Sequence, residues 1–188
     1  MSKDRTLAYA ALVCLSSALG AAVHAEVPVA KAPSAASVPK ELTVPAGQRR
    51  AFQWKAQGVQ IYICQADAGA AAAWVFSAPE AKLRDAQGRE AGTHFAGPTW
   101  EALDKSRVGG KKLVAASPDP ASIPWLLLQA AAHEGNGVMS AVTYIQRLDT
   151  KGGLAPATGC DASRLGETVR VDYSASYAFY VAESAHAK

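Results

Sequence analysis

The sequence is poor in the residues from which catalytic and metal-binding motifs are assembled. It holds three cysteines, four histidines and two methionines. None of the cysteines and histidines stand at the close spacing of a zinc site, and H-E-x-x-H does not occur. A G-x-S-x-G nucleophile elbow is missing, which removes the commonest hydrolase signature. Gly135, Gly137 and Ser140 match part of a dinucleotide fingerprint, but the third glycine is absent and no helix of a βαβ unit follows, which argues against a nucleotide-dependent dehydrogenase. Runs of one charge are equally scarce. The basic residues pair as Arg49-Arg50 and Lys111-Lys112 and otherwise stand alone, short of the patch or stripe that nucleic-acid binding requires.

The longest uncharged run lies at the start. Lys3 and Arg5 precede an apolar or small-residue stretch from Leu7 to Val23, and Val23 and Ala25 supply the small residues read by a signal peptidase. Residues 1–25 therefore read as a signal peptide cleaved between Ala25 and Glu26. The competing reading is an uncleaved anchor, because the stretch approaches the roughly 20 residues that span a bilayer; its Ala- and Ser-rich composition and the Ala25 site favour cleavage. Val13 stands where lipid attachment to Cys14 would need a smaller residue. Cleavage leaves 163 residues with 17 basic and 15 acidic side chains, nearly neutral and the size of one domain. No integral membrane span remains, and the expected location is the periplasm or the medium.

Cleavage also removes Cys14, so that Cys64 and Cys160 remain. Two cysteines bound for an oxidising compartment are expected to form a disulfide. The alternatives are a reactive thiol or a metal ligand.

Residues 26–40, rich in Pro, Ala, Ser and Lys, read as a flexible leader, and a single domain is expected over 41–188. Turn signals then recur at Pro45-Ala46-Gly47, Gln57-Gly58, Asp85 to Gly88, Gly109-Gly110, Gly135-Asn136-Gly137 and Lys151-Gly152-Gly153. Between them lie short runs rich in β-branched and aromatic residues. Phe52 and Trp54 share one face of Ala51 to Lys55. Val59, Ile61 and Ile63 alternate against Gln60, Tyr62 and Cys64, with Gln57-Gly58 marking a turn or bulge. Trp74 to Ser77 and Ala81 to Arg84 read as two more strands. The Leu- and Ala-rich segment 124–133 could form a helix. The Gly-Asn-Gly turn and the strand pattern over 138–148 make a hairpin the better reading. The last run places Val169, Val171, Tyr173, Ala175, Tyr177, Phe179 and Val181 on one face. The fold class that follows is all-β: a single-domain antiparallel sandwich or barrel with few or no long helices.

The densest polar cluster is the stretch 92–101, GTHFAGPTWE, read as a loop. His94 could act there as a general base or metal ligand with Glu101, or it could bond to backbone in a turn whose Trp100 caps the core. His133 and Glu134 lie at the proposed hairpin turn. Should the two ends meet, His94, Glu101, His133 and Glu134 would make a polar pocket able to bind a divalent metal or move a proton; His186, in the tail, is the remaining histidine beyond the signal peptide. The segment 149–161 reads as a surface loop that Cys160 ties down, with Lys151 and Asp161 as further ligand candidates. The aromatic side chains Trp54, Trp74, Trp100, Trp125, Tyr62, Tyr144, Tyr173, Tyr177 and Tyr180 suit a partly wet binding surface, for which Trp100, Trp125 and Tyr144 are the candidates.

The blocks FQWKAQGVQIYICQA, FSAPEAKLRDAQG, THFAGPTWEALDKSRVGGKKL, IPWLLLQAAAHEGNGVMSAVTYIQRLDTKGGLAPATGCD and YSASYAFY, in this order, resemble the domain of unknown function 3455 family of exported bacterial and fungal proteins. The resemblance spans about residues 42–182. It implies a secreted or periplasmic protein and supplies no catalytic residue. In one departure, Lys105 stands in Asp104-Lys105-Ser106 where the family pattern more commonly has glycine, which is expected to weaken a tight turn. The functional expectation is a non-catalytic exported β-domain that binds a small molecule, a glycan or an envelope component. The alternative is a metal-assisted enzyme built on the His/Glu cluster. The sequence assigns no cofactor and no oligomeric state.

Overall fold

The computed structural model describes residues 37–184. The signal peptide read at 1–25, Cys14, most of the leader at 26–40 and His186 lie outside these residues. A 3-10 turn at Lys40–Leu42 precedes eight strands: β1 (Gln48–Gln65), β2 (Ala73–Arg84), β3 (Glu90–Phe95), β4 (Thr99–Ala102), β5 (Arg107–Ala116), β6 (Trp125–Glu134), β7 (Val142–Gly152) and β8 (Thr168–Ala182). Each strand pairs antiparallel with the next, and β8 returns to β1, so the sheet closes as a barrel. Of the two architectures expected, the barrel is the one formed.

Several boundaries differ from the sequence reading. Gln57-Gly58 does not break β1, which runs for 18 residues with its irregularities at Arg50/Phe52 and Ile61/Tyr62. Gly58 is present because the strands cross closely: a Cβ there would lie 2.1 Å from the Glu80 carbonyl oxygen and 2.6 Å from Ala81 Cβ. Gly58→Ala is expected to lower stability by about 1 to 3 kcal/mol through overpacking. A fall in the urea midpoint at constant slope would show it, and an unchanged midpoint would mean that β2 yields without cost. The two strands expected at 74–77 and 81–84 are one strand, β2. Pro79 is tolerated because β3 ends at Phe95, paired with Thr99, before the β2–β3 register reaches it. Residues 138–141 form turns, so β7 begins at Val142. The stretch 92–101 is a tight hairpin of β3 and β4 in place of a loop, and residues 149–152 belong to β7.

Two apolar clusters lie on opposite faces of the sheet. Inside, Trp54, Leu83, Val108, Met139, Val142, Ile145 and Phe179 pack together, with Phe52 and Trp54 rings 4.8 and 5.3 Å from that of Phe179. Outside, Leu42, Trp125 and Leu127 are buried with Val44, Val114, Tyr144 and Leu148 around them. The 3-10 turn lies over this outer face, held where Gln146 Nε2 donates to the Leu42 carbonyl at 2.7 Å.

Cys64, at the end of β1, is joined by a disulfide to Cys160 in the β7–β8 connection, with their Cα atoms 5.4 Å apart. Backbone bonds reinforce the join: Cys64 N–H donates to Glu167 and Gly166 N–H donates to Cys64.

Candidate functional site

The two ends of the barrel differ. At one end, the connection between β6 and β7 folds beneath the strands and inserts Met139, which is fully buried. The β4–β5 turn clamps it: Asp104 accepts from Val138 N–H at 2.9 Å, and Ser106 Oγ accepts from Met139 N–H at 3.1 Å. Within that turn Lys105 takes φ 68°, a left-handed conformation that glycine adopts most readily. Hydrogen bonds from Ser106 and Val138 hold the Asp104 carboxyl below its ordinary range. The result is a floor.

The other end is open. A cavity of about 560 Å³ is lined there by Tyr62 and Gln60 of β1, Phe76 and Pro79 of β2, His94 and Trp100 of the β3–β4 hairpin, Leu126 and Leu128 of β6, Arg147 of β7 and Tyr177 of β8, with Gly97, Pro98, Lys112, Ala115 and Pro124 among its remaining lining residues. The side of β1 that faces this space is the reverse of the one hydropathy suggests. Gln60, Tyr62 and Cys64 are buried, whereas Val59, Ile61 and Ile63 are only partly covered on the outer face. Gly153, at φ 82°, lets the chain fold closely over this wall: a Cβ would lie 2.9 Å from Tyr173 Cβ and 3.1 Å from Gln60 Cγ. Its carbonyl accepts from the Tyr62 hydroxyl at 2.5 Å.

His94 is 2% exposed and stacks on Trp100, with ring centroids 4.5 Å apart and planes inclined by 10°. Its Nδ1 lies 2.8 Å from the Thr99 carbonyl oxygen. A carbonyl only accepts, so Nδ1 carries the proton and Nε2 the lone pair. Burial pushes the imidazole pKa from 6.5 down to about 3, against the smaller raising effect of the Thr99 bond. Tyr177 packs edge-on against both rings, and burial raises its hydroxyl above the ordinary range. Two buried donors of the wall residues, Gln60 Nε2 and Trp100 Nε1, meet no acceptor among the described residues.

The four residues expected to form a polar pocket are not brought together. His94 faces inward, whereas its hairpin neighbour Glu101 faces outward, as strand alternation requires of positions 100 and 101. Glu101 binds Arg107 Nε at 2.5 Å and Lys105 at 3.1 Å, and Arg107 also bridges to Glu134 at 3.0 Å. The Arg107 bond first, then Lys105, holds the Glu101 carboxyl low. Exposed His133 donates from Nε2 to the Val142 carbonyl, 2.7 Å away. Glu101 and Glu134 thus belong to an exterior ion-pair cluster. Among the described residues no group of three His, Cys, Asp or Glu side chains stands close enough to hold a metal ion.

The aromatic candidates are divided in the same way. Trp100 lines the cavity, while Trp125 and Tyr144 belong to the outer cluster beneath the 3-10 turn. Trp74 donates to the Thr158 carbonyl and carries the Arg164 guanidinium over its ring. Lys151 pairs with Asp119, and Asp161 caps the turn at Ser163. The sequence reading missed Gln60 and Arg147 as wall residues. The available signal was parity: Gln60 shares the period of Trp54 and Tyr62, and Arg147 that of Ile145.

A family model described as "Protein of unknown function (DUF3455)" matches residues 45–181, from just before β1 to the penultimate residue of β8. The chain belongs to this family. The match covers every element that builds the wall and floor of this DUF3455 barrel. No curated protein and no solved structure matches the chain. No helix among the described residues is long and apolar enough to cross a membrane.

Proposed function

We propose that this DUF3455 protein is an exported carrier that holds a small, largely apolar molecule in the open end of its barrel. One observation carries the reading: the inward face presents aromatic and polar side chains around about 560 Å³ of space, while aliphatic residues of β1 turn outward. Small-molecule sites fall at about 300–1,000 Å³, apolar with a few placed polar groups, and the mouths of β-barrels are a recurrent location for them. A disulfide that encloses six of the eight strands fits an oxidising compartment, in keeping with a signal peptide over residues 1–25. Binding is favoured over proton transfer because the imidazole in the wall has its Nδ1 committed to Thr99 and a pKa far below neutrality, which makes it a weak base.

The test is titration with a neutral apolar fluorophore, N-phenylnaphthylamine, followed by energy transfer from tryptophan. Saturable one-to-one binding is expected. Ala115→Trp, which places a large ring at an exposed lining position, should weaken it several-fold without shifting the melting temperature. Equal binding by this variant, or saturable binding of sugars in place of the fluorophore, would overturn the proposal.

A further inference from the structure

The charge on the cavity wall deepens this reading and rests on the cavity being the binding site. Alternation along β7 sends Tyr144, Gln146 and Leu148 outward to the cluster under the 3-10 turn and Ile145 and Arg147 inward. Register places Arg147 opposite Leu126 of β6 on one side and Tyr177 of β8 on the other, with Tyr177 in turn opposite Trp54 of β1. A guanidinium is thereby built into a belt of apolar and aromatic side chains.

Its hydrogen bonding is incomplete. Nε donates to the Pro124 carbonyl at 3.0 Å, which fixes the plane of the fork. Beyond that bond the guanidinium has the Tyr177 hydroxyl as a neighbour and no carboxylate partner among the described residues. The seven ion pairs found there all involve other residues, and none of their members lines the cavity. The charge of Arg147 reaches His94, Tyr62, Tyr173 and Tyr177. Lys112 adds a second cation, and no Asp or Glu lines the space. A half-buried cation without a counter-ion is costly, and a planar guanidinium whose terminal nitrogens meet no carboxylate of the protein matches that of a ligand in bidentate geometry.

We infer that the cavity selects an anionic amphiphile, a monocarboxylate with an apolar body, whose carboxylate pairs with Arg147 while its body lies against Trp100, Tyr62, Leu126 and Leu128. The experiment compares decanoate with decanol, two probes of equal chain length and different charge, by calorimetry at pH 7. The wild-type protein is expected to bind decanoate about ten- to a hundredfold more tightly, the range set by one charge-assisted pair. Arg147→Gln should bring decanoate to the level of decanol and leave decanol within about twofold, while Arg147→Lys, which keeps the charge without the fork, should retain part of the preference.

Equal binding of the two probes by the wild type would overturn the anion inference and leave the cavity as a site for neutral ligands. Equal weakening of both probes by Arg147→Gln would reduce Arg147 to a structural role. Binding of neither probe by the wild type would count against the cavity as a binding site altogether.

Discussion

Removal of the Cys64–Cys160 disulfide is expected to cost about 5 kcal/mol of folding stability, the value for freeing a loop of roughly a hundred residues in the unfolded chain. The bond spans a sequence separation of 96 and encloses β2 to β7. Domains of this size are stable by only about 5–15 kcal/mol in all, so the loss is a large share of the total. The folded state suffers as well, because the end of β1 and the 160–167 segment are joined by that bond and by two backbone hydrogen bonds beside it. Urea unfolding of the oxidised protein, the reduced protein and a Cys64→Ala/Cys160→Ala variant should give similar low midpoints for the last two. A shift below about 1 kcal/mol would show that the closed ladder holds the ends without covalent help.

The second large effect is acid sensitivity centred on His94. In the unfolded chain the imidazole takes up a proton as the pH falls through 6.5, whereas in the folded barrel it resists protonation to about 3. The unfolded state therefore binds more protons throughout this window. Stability is full above 6.5 and declines as the pH falls towards 3, with a limiting loss of about 5 kcal/mol. Glu101 and Asp104 have lowered pKa values and add to the loss at the acid end of the range. A His94→Gln variant isolates the histidine: it retains every carboxylate and can still donate to Thr99. Between pH 7 and 5 the wild type should lose stability in urea while the variant stays nearly level. Parallel slopes would place the titration elsewhere.

The strand content was legible because β-branched and aromatic runs recur between turn signals, and the disulfide because Cys14 falls in the expected signal peptide, which leaves a single pair. What hydropathy could not convey is which face is inside. In a closed barrel both faces of one strand can be covered, one by the interior and the other by an overlying segment, as Leu126 and Leu127 on β6 show. The Val59-Ile61-Ile63 stripe then looks like core while Gln60 and Tyr62 line the cavity. Gly58 read as a break because sequence alone cannot distinguish a turn glycine from one that lets two backbones touch. The His/Glu cluster failed on the same ground: His94 and Glu101 are near in sequence, but a two-strand hairpin turns them to opposite faces.

Closure of the ring by β1 and β8 also bears on self-association. The joint is the longest ladder among the described residues, running from Gln48–Ala182 to Ile63–Thr168, and it leaves neither terminal strand a long free edge on which another chain could template itself. The open stretch is on β2, whose ladder with β3 covers only Ala81 to Arg84, and the shortest stave, the four-residue β4, lies just beyond β3. Trp100 sits on that stave, and His94 lies opposite it on β3. Acid that charges His94 thus strains the barrel at these short ladders, so the same protonation that destabilises the fold is expected to lengthen the open edge of β2.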